Sequence, residues 1–467
     1  MKRHSLTFLK DLVFILSFLF LIQVVTLQTL AQTTSKWFVD KNATGTGTGR
    51  TIENAWTSFA NIGWTSMATG DTLFISGGID STIYNETLTV GKGGITIMRM
   101  ATTGHNGKVI IDGESIRDYG ILNQSSYSNV LINGIDKTKF IIRRFLDQGI
   151  RFRYNSNNTI KNFTVELNEP SAFSGVFLFG GEWQSPPTFA GPYTVEDFSI
   201  LQDSGSYAGG GNSDGIQMGG VDGVTIRNGY IRLQNSNNTP HSDGIQAYHC
   251  KNILIEQNQI YQYDAGATAS KQGIYITDSG GKIKVRNNYI YHRQPSGGSA
   301  IAYEWYDNTW LTVYAPPDSV LITNNTVDCK YDNPNAIRLV QAISSTSFSA
   351  NTILKNNILI KGTFAIDRKY FTSGSNCDYN DYYNGASAVD IWDATSTSTG
   401  SGRTWATWQS YGFDVNSYTT NPLLTGYIPS TSGDADGNGT NLSTLGYTTS
   451  LLGTIRTGSW WIGAYQP

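Results

Sequence analysis

Asn212-Ser213-Asp214-Gly215-Ile216-Gln217 recurs 29 residues later as His241-Ser242-Asp243-Gly244-Ile245-Gln246, and a third copy reads Ser270-Lys271-Gln272-Gly273-Ile274-Tyr275. As stacked strands, these copies lie about 4.8 Å apart. Asp214 and Asp243 are then neighbours, with His241 and Lys271 beside them at a loop edge. Two carboxylates that close share a proton, bind a cation or face a positive side chain. Asp214 and Asp243 with backbone oxygens could hold Ca2+, the candidate cofactor, because a hard cation takes oxygen ligands. Asp243 could instead orient His241 or Lys271 for proton transfer. The simplest alternative is structural: each Asp caps its own bend through backbone N–H groups.

These motifs belong to a longer series. Gly149-Ile150, Gly175-Val176, Gly215-Ile216, Gly244-Ile245, Gly273-Ile274, Ala300-Ile301, Ala336-Ile337 and Ala365-Ile366 follow one another at steps of 26 to 40 residues, most of them in the high twenties. A period of that size marks a solenoid whose single coils cannot bury a core alone. With the Ile side chains inward, period-two alternation turns the residues two and four positions after each small residue outward. They are Arg151 and Arg153, Phe177 and Phe179, Gln217 and Gly219, Gln246 and Tyr248, Tyr275 and Thr277, Ala302 and Glu304, Arg338 and Val340, and Asp367 and Lys369. Such a mixture of Arg, Phe, Tyr, Gln and Glu suits a groove for a polar, anionic chain with flat faces to stack on. Trp305, on the strand after Glu304, and Tyr306, Trp310 and Tyr314 beyond it are further candidates for stacking on sugar rings, while Tyr303 faces inward.

A second series fixes the phase. About ten residues after each of several small–apolar pairs comes an apolar-x-polar-x-x-apolar strand with Asn162, Asp197, Asn228, Gln257, Asn287, Asn324 or Asn356 at its third position. A polar residue recurring at a turn can hydrogen-bond its copies above and below. Repeated short strands without helical stretches between them predict an all-β, single-stranded right-handed parallel β-helix. Its loop insertions fall at 180–193, 202–213, 235–242, 263–271 and 305–318, on one edge of one sheet, where function concentrates.

The N-terminus is of another kind. Lys2, Arg3 and Lys10 precede an apolar run from Leu12 to Leu27, and Thr29-Leu30-Ala31 offers a small-residue cleavage site. This is the layout of a secretory signal peptide over 1–31, too short for a membrane span. Its removal leaves no membrane span and moves the formal net charge from −3 to −5. A mildly acidic chain without a basic run speaks against a nucleic-acid partner. Cys250, Cys329 and Cys377 are too few and too scattered for a disulfide framework. The expected organisation is a cap at about 36–75, coils at about 76–385 and a capping segment at about 386–467.

Trp37-Phe38-Val39-Asp40, Trp56 and Gly70-Asp71-Thr72-Leu73-Phe74-Ile75, with Asn421-Pro422-Leu423-Leu424 and Trp460-Trp461-Ile462-Gly463-Ala464-Tyr465 at the other end, resemble the opening and closing segments of the pectate-lyase-like right-handed parallel β-helix superfamily. The resemblance implies this fold and leaves open lyases, hydrolases, epimerases and adhesive proteins. Asn-Ser-Asp-Gly at 212–215 also resembles the Asn-Thr-Asp-Gly element of polygalacturonases, without their following Asp-Asp, Gly-His-Gly and Arg-Ile-Lys elements.

The expected function is a secreted lyase of uronate-containing polysaccharide. Arg338 or Ca2+ would neutralise the carboxylate, and Lys271, His241 or Tyr248 would take the C5 proton. The alternatives are a glycoside hydrolase and a non-catalytic carbohydrate-binding or adhesion protein. Hydrolysis would use Asp214, Asp243 and Glu304, with Asp243 and Glu304 at the roughly 6.5 to 9.5 Å that inversion needs. Finally, Asp434-Ala-Asp436-Gly-Asn438-Gly439 matches the first half of an EF-hand loop, but its twelfth position is Leu445 instead of Glu, so a polar turn is expected.

Overall fold

The computed structural model describes residues 34–467 apart from 125–126, 182–187, 204–212, 235–241, 264–270, 295–296, 306–316, 332–334, 342–350, 372, 386, 395–399 and 447. A typical coil has three strands, Ile245–Tyr248, Lys251–Glu256 and Gln259–Tyr263. Each pairs in parallel with its counterpart one coil on, Ile274–Thr277, Gly280–Arg286 and Tyr289–Arg293. The three walls are called sheets A, B and C in that order. The chain is thus a parallel β-helix, with the right-handed crossover that parallel strands adopt almost without exception. Among the described residues, no helix is long and apolar enough to cross a membrane.

Inside, Ile150, Val176, Ile216, Ile245, Ile274, Ile301 and Ile337 stack in register along sheet A. All are buried, and each such side chain contributes about 1.5–3 kcal/mol on leaving water. The small residue before each of them has a steric cause. A Cβ on Gly215 would stand 2.5 Å from the Gly244 carbonyl oxygen of the next coil.

The recurring Asn positions divide into two roles. Asn162, Asp197, Asn228, Gln257, Asn287, Asn324 and Asn356 all have φ between 52 and 57°. They are left-handed turn residues, a conformation that Asn tolerates better than most side chains. The long ladder is carried by the residue that follows. Asn258 donates from Nδ2 to Asn288 Oδ1, Asn288 to Asn325, Asn325 to Asn357 and Asn357 to Asn380, each at 3.0 Å. Asn380 then donates to Asp414 Oδ1 at the end of the stack.

The last small–apolar pair is also in a different register from that expected. Ile337 pairs with Phe364, Arg338 with Ala365 and Leu339 with Ile366, across a shift after Asn335. Ala365 therefore faces outward, and Asp367 leaves the strand to cap a turn, accepting from Lys369 N at 2.9 Å. Beyond it, the antiparallel strands Asp390–Ala394 and Gly400–Thr404 and the helix Trp405–Ser410 close the stack. The remaining chain doubles back along the Asn turns. There Gln257 donates to Ser450 O, Arg456 to Asn287 Oδ1 and Ala464 N to Thr326 Oγ1.

The two roles of Asn predict different mutational costs. Asn325→Ala strands the Asn288 amide and backbone N–H and should lower stability by about 3 kcal/mol or more. Asn228→Gly keeps a residue that accepts positive φ and should stay within about 1 kcal/mol. Urea unfolding midpoints of the two variants check this.

Candidate functional site

On the outside of sheet A the strand registers build two straight columns. One runs Arg151, Phe177, Gln217, Gln246, Tyr275, Ala302, Arg338. The other runs Arg153, Phe179, Gly219, Tyr248, Thr277, Glu304, Val340. At one end Phe177 and Phe179 stack with centroids 5.3 Å apart, and the guanidinium groups of Arg151 and Arg153 stand 5.8 and 5.3 Å from those rings. Arg151 also bonds the Tyr119 hydroxyl. In the middle, Gln217 Nε2 donates to Gln246 Oε1 at 2.8 Å. Gly219 leaves a low point between Phe179 and Tyr248.

At the other end, three of the expected residues meet. Glu304, only 3% exposed, bonds Arg338 Nε through Oε1 at 2.5 Å and accepts from the Tyr275 hydroxyl at 3.3 Å. The carboxylate locks Arg338 against the wall and ties Tyr275 to it. Tyr248 lies on the preceding strand, its ring 5.8 Å from His249.

The paired aspartates lie on the opposite side of the strand. Asp214 and Asp243 share the inward parity of Ile216 and Ile245 and are 0% exposed. Asp214 Oδ1 accepts from Asp243 N at 2.8 Å, and Asp243 Oδ1 accepts from Gln272 N at 2.6 Å. Each carboxylate thus has a structural role, although it caps the next coil and not its own bend as expected, while its Oδ2 has no hydrogen-bond partner. Burial and the neighbouring Asp243 push the Asp214 carboxyl well above the usual range. Burial likewise raises Asp243 to about 7, against the opposing pull of the Gln272 N–H and of Lys271. Among the described residues, two free carboxylate oxygens with Lys271 nearby fall far short of the six to eight oxygens that Ca2+ takes, so the pair does not fit Ca2+.

Other expectations resolve individually. Asp243 cannot partner Glu304 across a glycosidic bond, because one points into the core and the other away from it. Trp305 is 0% exposed within the core, so it offers no face to a sugar. Tyr303 is core as expected and donates to Ser279 O. Lys271 is buried at the loop edge near Asp243. His241, Tyr306, Trp310 and Tyr314 lie outside the described residues.

Sequence reasoning passed over His249 and Asp278, neighbours of sheet A held at left-handed bends with φ of 52 and 45°. Polar residues at positive φ directly after an outward residue were the available signal. It also passed over Asp147, whose carboxyl is raised by burial beside Arg151 and Tyr119.

Two other surfaces compete. A cavity of about 720 Å³ lies between sheet B and residues 446–453. Two of its charged walls are already paired, Arg286 with Glu256 at 2.7 Å and Arg227 with Glu196 at 3.0 Å, and Lys137 lines it as well. On sheet C, Tyr261 and Tyr263 stack at 6.2 Å beside Tyr291, with Arg293 over Tyr263. That face lacks the span of sheet A.

No protein-family model matches the chain, and no curated protein matches it. Among solved structures, pectate lyase Pel9A is similar at 14% identity over 94% of this chain and 98% of that one, with a TM-score of 0.47. A GH136 lacto-N-biosidase from Eubacterium ramulus is 10% identical over 80% of this chain and 67% of its own, with a TM-score of 0.36. PfbA, a surface adhesin of Streptococcus pneumoniae, is 10% identical over 72% and 83%, with a TM-score of 0.27.

The aspartate pair carries a pH signature. A carboxyl raised in the folded state holds its proton there between about pH 4 and about pH 7, where the unfolded chain has lost it. The pair's contribution is therefore present in acid and lost as the pH rises through that window. Replacing both by Asn, which keeps the acceptor oxygens, should flatten this fall, as read by denaturant unfolding at about pH 5 and about pH 8.5.

Proposed function

We propose that the outer face of sheet A binds a polysaccharide chain bearing anionic groups and cleaves it by β-elimination. The observation that carries this is the pair of in-register columns, in which the part-exposed Tyr248 and Tyr275 lie between the Arg151–Arg153 pair and Arg338, while Phe177 and Phe179 are themselves buried. The six coil steps from Arg151 to Arg338 span roughly 29 Å, long enough for several sugar rings. Rings stack on aromatic faces, and guanidinium groups pair with carboxylates bidentately. The export signal read at 1–31 would bring the protein to an extracellular glycan.

The Arg and Tyr side chains of the groove supply the parts that elimination asks for. Glu304 is the one carboxylate in the two columns among the described residues. Asp278 stands one coil away, its backbone N–H bonded to Glu304 O, so hydrolysis, which needs two carboxyl groups within about 9.5 Å of each other, is the alternative that the reaction products separate. In the proposed step Arg338 neutralises the uronate carboxylate and Tyr248 takes the C5 proton. Tyr248 acts as the phenolate; the electron pair released forms the C4=C5 double bond as the C4–O bond breaks, and the departing oxygen takes its proton from water or from the Tyr248 hydroxyl just formed. A non-catalytic carbohydrate-binding role is the second reading. It is favoured by the Glu304–Arg338 pair, which takes up part of the charge that elimination calls on.

Incubation with pectate, alginate, glycosaminoglycans and neutral glycans, with and without Ca2+, separates these readings. Absorbance of an unsaturated uronate rising together with reducing ends is the expected result. Arg338→Ala should then lose about 100-fold in kcat/KM, the scale of one deleted charge-stabilising donor. Reducing ends without the double bond would contradict elimination, and no binding to any acidic glycan would contradict the proposal as a whole.

A further inference from the structure

Asp381 is a buried acid that the groove does not use. It begins the short strand Asp381–Tyr383 in the last full coil of sheet C and stands outside the wall, directly above Ile358 in register. Ile358 is covered by the returning chain, where Ala435 and Ile462 pack on it. Asp381 is covered too, at 0% exposure, and neither of its carboxylate oxygens has a hydrogen-bond partner. A carboxylate taken out of water without a partner is among the costliest things a fold can bury.

The segment that covers it is the half EF-hand sequence. Asp434 lies near enough to act on the Asp381 carboxyl, which burial first and this second negative charge next push up to about 8. Asp434 accepts from the Thr420 hydroxyl, and its carbonyl accepts from Asn438 Nδ2 at 3.0 Å. Gly437 turns the loop at φ 67°. The loop is fixed to the coil on both sides of this point: Ile462 N bonds Ala435 O, and Thr440 N bonds Asn356 Oδ1. The chain at Tyr418 is held by Tyr382 N and Asn380 O. Two acids are thereby held in one neighbourhood by backbone bonded on both sides, Asp381 bridging Tyr418 and Ala435 packing on the Ile358 beneath it.

We propose that Asp381 and Asp434 are the charged ligands of a Ca2+ ion that clamps the C-terminal segment onto the last coil. Thr420, the loop's carbonyl and side-chain oxygens and water supply neutral ligands toward the six to eight that Ca2+ takes. The described residues hold no cluster of three or more His, Cys, Asp or Glu side chains, so the site rests on two carboxylates and neutral oxygens. It lies on sheet C, outside the glycan groove, and stands whether or not that groove binds sugar. The departure at Leu445 from the EF-hand pattern is met by Asp381, an acid supplied from a different part of the chain.

The test needs no glycan. Tb3+ is titrated into the purified full chain and followed by tyrosine-sensitised luminescence with Ca2+ as competitor. Thermal unfolding is then recorded in Ca2+ and in EDTA for the wild type, Asp381→Asn and Asp434→Asn. The expected result is Tb3+ binding that Ca2+ displaces and that either variant weakens by about tenfold or more, since ligand charge sets Ca2+ affinity. In EDTA at about pH 9, where the Asp381 carboxyl raised to about 8 is ionised, Asp381→Asn should melt above the wild type, because the uncompensated charge is gone. In Ca2+ that order should reverse. Asp434 is part-exposed, so its variant decides the matter even if Asp381→Asn fails to fold. A wild type whose melting ignores Ca2+, or an Asp434→Asn protein with unchanged affinity, overturns the proposal.

Discussion

Each coil of this chain must satisfy its hydrogen bonds through the coil above and the coil below, and this constraint sets nearly everything else. The backbone does so by parallel pairing in all three walls, and the interior polar side chains do so by copying themselves. Asn258, Asn288, Asn325 and Asn357 each pass an amide hydrogen to the next Asn side-chain oxygen, and Asn380 passes its own to the Asp414 carboxylate. Asp214 and Asp243 do the same with backbone N–H groups. A residue that fails to match its neighbour leaves a buried donor or acceptor unpaired, at a cost of about 1–3 kcal/mol. Register is therefore held tightly, and with it the position of every outward side chain.

That rigidity gives the outer face of sheet A its character. Arg151 and Arg338 are 187 residues apart in sequence, yet stand in one column because each intervening coil returns its strand to the same place. Glu304 fixes the end of the column by bonding Arg338 and Tyr275 at once. The same period that places these side chains turns Asp214 and Asp243 away from them, since neighbouring positions on a strand face opposite sides.

Much of this was legible in the sequence because it depends on two short periods. The coil repeat and the alternation within strands were enough to name both outward columns from Arg151 to Arg338 correctly. They failed at Ala365, which stands beside Arg338 in place of the expected Asp367, two residues out of register. They also failed to show that Asp214 and Asp243 face the core, because the first position of a strand can belong to the bend or to the ladder. Asn misled for a related reason. It suits both left-handed turns and amide ladders, and in this chain the two uses sit side by side, as at Gln257 and Asn258. Trp305 looked like a sugar platform by type but is inward by parity. What no period could reveal is Asp381, whose burial comes from a chain segment some fifty residues away in sequence folding back over it.

The central claim is that sheet A is the working face of the helix and that its flanking sheets support it. Hydrogen–deuterium exchange with and without an acidic oligosaccharide tests this directly. The account predicts added protection in the strands Ser174–Phe179, Asp214–Gly219, Ile245–Tyr248, Ile274–Thr277 and Ser299–Trp305, with sheets B and C unchanged. Protection centred instead on the sheet C tyrosines Tyr261, Tyr263 and Tyr291, or on the cavity beside Arg227 and Arg286, would contradict it.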